Sequence, residues 1–161
     1  MAKAKKAVPD GYQTVTPQLT LDNAVQAIDW YKKALGAEEI SRAPGPDGKI
    51  MHAELRIGNS RIMLSDALMG NKGPQMLGGS PASLWLYVED CDALFKRALD
   101  AGAQTRMPMG DQFWGDRCGS ISDPHGYTWT IATHKEDLTH EEMQKRQEEF
   151  FKQFAQQGAH T

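Results

Sequence analysis

Laid over itself with a displacement of 67 residues, the chain repeats its own pattern. Leu21 then falls on Val88, Asp22 on Glu89 and Leu64 on Ile131; Gly36-Ala37 meets Gly102-Ala103 at 66, one residue being lost in the second copy. A doubled unit constrains the fold strongly, because each copy must be one supersecondary unit whose apolar face needs covering. In the first copy, residues 15–21 are mostly β-formers, and Asp22 or Asn23 can cap a helix. Ala24, Ala27, Ile28, Tyr31 and Leu35 recur on that helix at helical spacing, and Gly36 stands at its end. A strand at 39–42 runs into the turn residues 44–48. Residues 51–57 alternate, which predicts Met51, Ala53, Leu55 and Ile57 on a core face and His52, Glu54 and Arg56 on the other. Gly58-Asn59 turns the chain into a returning strand at 61–65. The second copy reads the same way: a strand at 83–88, a helix ending at Gly102, a short strand at 104–106, and strands at 116–122 and 127–132. The expected class is α+β, two tandem β-α-β-β-β modules.

The expected organisation is a mobile arm at 1–13, a first module at 14–66, a loop linker at 67–82, a second module at 83–134 and a C-terminal helical extension at 135–161. In the extension, Thr139 and Glu142 fit a capping box. Met143, Phe150, Phe151 and Phe154 give its helix one apolar stripe, which either packs on its own domain or meets a second subunit. Of the 161 residues, 40% are hydrophobic and 24% charged, which excludes wholesale disorder. A net charge of −3 gives no general reason to bind nucleic acid or an anionic membrane. Two cysteines, Cys91 and Cys118, cannot make a disulfide framework or a four-thiolate zinc site and suggest a reducing compartment. No apolar run approaches the ~20 residues of a membrane span, and no apolar stretch follows the Lys-rich start, so a soluble cytoplasmic protein is expected. A Ser-His-Asp signature, a phosphate-cradling loop and a dinucleotide fingerprint are all missing.

Several stretches, in order, resemble the vicinal oxygen chelate superfamily, which includes glyoxalase I, bleomycin-resistance proteins and extradiol dioxygenases. They are Leu19-Thr20-Leu21-Asp22, Ile28-Asp29-Trp30-Tyr31 with Leu35-Gly36-Ala37, Leu86-Tyr87-Val88-Glu89-Asp90 with Ala101-Gly102-Ala103, and Asp123-Pro124-His125-Gly126. Met51-His52-Ala53-Glu54-Leu55, the run from Asp111 through Phe113-Trp114 to Arg117, and Ile131-Ala132-Thr133-His134 resemble the PhnB-like branch. The resemblance implies a curved mixed sheet around a cup, built from paired modules, usually within a homodimer; the C-terminal helix is an addition to it.

Metal-binding members take one ligand from the first and one from the last strand of each module. Aligning on the motifs puts Thr16, Met63, Ser83 and Thr130 there, and a two-residue shift selects Gln18. Hydroxyls and a thioether are poor donors for zinc or harder cations. No metal and no other cofactor is therefore expected, although His52 and Glu54 leave a divalent ion possible. The cup would be lined by Gln18, Met63, Trp85, Tyr87 and Thr130, surfaces that suit a small, partly apolar organic ligand. Gln112 and Arg117 are candidates for a carboxylate or carbonyl oxygen and Phe113 and Trp114 for an aromatic wall; alternatively an internal Asp–Arg bridge holds that loop closed. His52 is the candidate for proton transfer with Glu54 as its orienting partner; otherwise both are solvated, or Glu54 pairs with a neighbouring Arg. Two functions follow: a metal-independent binding module, or a lyase or isomerase of glyoxalase type acting on a small oxygenated substrate.

Overall fold

A computed structural model describes residues 4–158. The expected arm and extension reach beyond these bounds, so residues 1–3 and 159–161 lie outside the described residues. The first module runs β1 (Gln18–Leu21), α1 (Ala24–Leu35), β2 (Glu38–Pro44), a 3-10 turn (Pro46–Gly48), β3 (Ile50–Ile57) and β4 (Ser60–Asp66). A one-turn helix, α2 (Pro74–Leu77), interrupts the linker. The second module runs β5 (Ser83–Tyr87), α3 (Cys91–Asp100), β6 (Gln104–Asp111), β7 (Asp116–Ser122) and β8 (Thr128–His134), and α4 (His140–Gly158) follows.

The duplication survives as topology. Sheet 1 has the order β1-β4-β3-β2 and sheet 2 the order β5-β8-β7-β6, each with one parallel pair and otherwise antiparallel neighbours. The two helices start alike. Asn23 accepts from the Gln26 amide and Asp90 from the Ala93 amide. The first helical amide is taken by a β-strand side chain in both modules, Ala24 by Asp66 and Cys91 by Thr133. Gly36, at φ 68, ends α1 in a left-handed turn.

One apolar core serves both modules. α1 packs under sheet 1, α3 under sheet 2, and the helices pack on each other. Trp30 donates to the Ala101 carbonyl at 2.9 Å, and Tyr127 donates to the Thr20 carbonyl at 2.9 Å. The buried Asp123 carboxylate accepts from the Tyr31 hydroxyl and the Trp129 indole at 2.8 and 2.9 Å. Both sheets therefore present their second faces opposite the shared helical layer.

Three expectations change. Met51 is 45% exposed and Ile50 takes the core position, because the β2–β3 register shifts between Ala43 and Pro44 and reverses the parity at that end. The short strand expected at 104–106 extends to Asp111. Two register shifts along β6 hide its periodicity. β1 begins at Gln18 and not at residue 15, just after Pro17, which has no amide proton for a ladder. Among the described residues no helix is long and apolar enough to cross a membrane.

Candidate functional site

Strand parity decides which side chains reach the open faces. On sheet 1, Gln18 of β1 stands beside Met63 of β4, and Glu54 of β3 stands across from Met63. His52 shares this face, with its Nε2 3.4 Å from Glu54 Oε1. The other Glu54 oxygen accepts from Arg61 Nη1 at 3.0 Å. The Tyr12 hydroxyl, the His52 ring and Arg61 hold the Glu54 carboxyl below its ordinary range against the opposing effect of burial. Glu54 is thus shared between an imidazole and a guanidinium, which makes it an ion-pairing group as well as a partner for His52.

On sheet 2, Trp85 stands beside Thr130, whose hydroxyl meets Ser120 at 2.9 Å. Trp85 and Tyr87 are 49% and 58% exposed, large values for aromatic strand residues. Their rings lie 6.2 Å apart, Trp114 lies 6.4 Å from Trp85, and Phe113 meets Trp114 edge-on at 5.1 Å. Behind this row sits Asp116, buried, which accepts from the Tyr87 hydroxyl at 2.8 Å, Trp114 Nε1 at 3.0 Å and His134 Nδ1 at 2.7 Å. Burial alone raises the Asp116 carboxyl, but the bonds from His134, Tyr87 and Trp114 outweigh it and hold the group ionised. The same bonding raises the His134 imidazole, through Asp116 first and then Asp137.

Two sequence candidates stand apart from this face. Arg117 lies on the helix side, sharing parity with Gly119 and Ile121. Its Nε and Nη2 grip Asp92 at 2.7 and 2.8 Å and its Nη1 reaches Asp111 at 3.1 Å, which leaves no free fork. Gln112 donates to the Gly110 carbonyl at 3.2 Å and lines a separate rim hollow of about 360 Å³ with Lys135 and Glu136. The remaining candidates form two clusters. Gln18, Met63, His52 and Glu54 lie on sheet 1; Trp85, Tyr87, Thr130, Phe113 and Trp114 lie on or beside sheet 2. The sequence reading overlooked Asp116 as the organiser of the aromatic row and Arg61 on the opposite sheet. Parity was the available signal for Arg61, two residues before Met63.

The paired positions where the resemblance expects metal ligands, Thr16 just before β1, Met63, Ser83 at the start of β5 and Thr130, carry three hydroxyls and a thioether, and Gln18, which stands beside Met63, adds only an amide. That donor set does not fit a divalent cation. Among the described residues, no three His, Cys, Asp or Glu side chains are grouped so as to hold a metal ion.

Comparison with known proteins gives the same class as the doubled modules. The Glyoxalase/Bleomycin resistance protein/Dioxygenase superfamily description matches residues 14–131, and the chain belongs to that superfamily. It is 44% identical to the uncharacterized protein Rv0887c of Mycobacterium tuberculosis over 135 residues, covering 81% of this chain and 79% of the relative. The solved structure of TioX from Micromonospora sp. ML1 is 26% identical with a TM-score of 0.62, covering 76% of this chain and 98% of TioX. A PhnB protein structure from Bacillus cereus, 18% identical with a TM-score of 0.59 over 75% of this chain and 99% of that one, shares the fold.

Proposed function

We propose that this protein binds a small, partly apolar organic molecule between the open faces of its sheets, without a divalent metal, and that it does so as a cytoplasmic homodimer. The observation that carries the reading is the row of Trp85 and Tyr87, about half-exposed, with the partly buried Trp114 beside them, in which Tyr87 and Trp114 are bonded from behind to a buried carboxylate. Aromatic side chains held rigid and left uncovered supply stacking area at little entropic cost. Surface area supports the partner copy. A compact monomer of 17.9 kDa exposes about 8,000 Å², whereas this chain exposes 10643 Å². The excess, about 2,600 Å², is of the order that stable dimers cover, and the exposed arm and α4 contribute to it. Both cysteines are free and buried, as suits a reducing compartment.

The test uses N-phenyl-1-naphthylamine, a neutral apolar fluorophore. It should bind with enhanced fluorescence, and Trp85→Ala should weaken that binding about tenfold. Because Trp85 is half-exposed, the variant should keep its urea stability to within about 0.5 kcal/mol. Equal binding by both proteins would remove sheet 2 from the site.

A further inference from the structure

Most arginines that bond within the chain have their forks filled. Arg42 grips Glu39, Arg97 the carbonyls of Lys32 and Lys33, Arg117 the carboxylate of Asp92, and Arg146 that of Glu136. Arg61 differs. Its Nη1 is held by Glu54, and the Tyr12 ring lies 5.1 Å over the guanidinium, so the group is fixed in position. Its remaining edge, Nε and Nη2, finds no acceptor among the described residues, and Nε is buried. Buried donors normally have partners, so this one needs an explanation.

The cover over that edge is Gly11, at φ 83. A Cβ there would stand 3.0 Å from Nε and 3.1 Å from Nη2, so the backbone lies directly against the fork. Residues 7–10, 12–14 and 16 line a cleft of about 620 Å³ together with Glu54, Arg61 and Met63 of sheet 1. Among the described residues, no backbone hydrogen bond joins residues 4–13 to either sheet. Segments tied down only by side-chain contacts open at low cost. The acidic groups nearby are already paired, Glu54 with Arg61 and His52, and Asp10 with Lys6.

We propose that Arg61 anchors a carboxylate of the bound molecule, and that the segment ending at Gly11 is a strap that lifts to admit it while Tyr12 stays over the guanidinium. A carboxylate presents two oxygens at the spacing of the Nε–Nη2 edge and replaces the backbone that leaves that edge unpaired. The proposal rests on the binding function above and names the ligand class for the sheet 1 half of the site.

The probes are benzoate and its neutral isostere benzamide, titrated into the 161-residue chain. Benzoate should shift the Arg61 Nε–Hε resonance in nitrogen-15 spectra and bind more tightly than benzamide. Arg61→Lys keeps the charge and loses the fork, so benzoate affinity should fall about tenfold, the equivalent of one good charge-assisted contact. Deleting residues 2–11 uncovers the fork and should tighten benzoate about threefold or more, on the reasoning that a binding-competent state becomes more populated. Equal affinity for the two probes, an unmoved Arg61 resonance or undiminished binding by Arg61→Lys overturns the anchor. Unchanged or weaker binding by the deletion overturns the strap. N-phenyl-1-naphthylamine separates this failure from that of the broader function, since its uptake depends on Trp85 and not on Arg61.

Discussion

At the scale of single residues, Asp116 controls the most. Three donors converge on it, two of them belonging to the aromatic row, so Asp116→Ala leaves a phenol, an indole and an imidazole without their acceptor. Removing one side of a buried, ionised network costs about 2–4 kcal/mol, and urea unfolding should register a loss of that order. The pH dependence has a definite sign. His134 is raised in the folded protein, so its contribution is complete below about pH 6.5, the unfolded value, and fades as pH climbs through the folded value. The stability gap between wild type and His134→Gln should therefore be widest in mild acid and close towards alkaline pH. Asp116 behaves oppositely: its contribution is present above the unfolded carboxylate value and is lost as pH falls through the depressed one. A gap that widens with rising pH would contradict the assigned pairing. The sequence shows which chemistries are present better than which way they point. Arg117 resembled a ligand anchor through its motif, yet its parity with Gly119 and Ile121 turns it to α3; Arg61 carried no motif, and its parity with Met63 brings it to the open face.

At the scale of elements, what was legible depended on whether the signal was local. The caps of α1 and α3 and the Thr139–Glu142 box are local, and each forms as its spacing predicts. The displacement of Met51 and the hidden length of β6 depend on bulges against another strand, which no window along one strand contains. The mode of docking of α4 is likewise a tertiary fact. Phe150 meets Phe113 at 5.0 Å, Arg146 pairs with Glu136, and His134 reaches Asp137 at 3.0 Å. Gly115 fits under this crossing because a Cβ there would lie 2.5 Å from the Glu136 carbonyl. Among the described residues α4 thus meets the second module at Phe150, while Phe150, Phe151 and Phe154 stay 42%, 54% and 66% exposed. Truncation after Asp137 should lower the melting temperature by about 4 °C, as expected for losing roughly 1 kcal/mol of contact. Sedimentation of the truncated protein should match that of the full chain; a change in assembly would instead assign the Phe stripe to a second subunit.

For the whole molecule, the doubled frame was readable from its 67-residue displacement, while the position of the open faces was not, since it follows from how α1 and α3 meet. Equilibrium sedimentation at micromolar concentration should return twice 17.9 kDa. A monomer would overturn the proposed homodimer. With no fitting donors at the paired positions, assays with the glutathione hemithioacetal of methylglyoxal should give no turnover, with or without nickel or zinc. Robust turnover would replace the binding function with catalysis.

The two copies keep one frame and carry unlike walls: one salt-linked and imidazole-bearing, the other made of stacked rings. A guest bound as proposed, touching both walls, would need a head and a tail, and reversing it would forfeit both sets of contacts. On that proposal a chain built by doubling would discriminate polarity along its guest, and a palindromic molecule would satisfy only half of it.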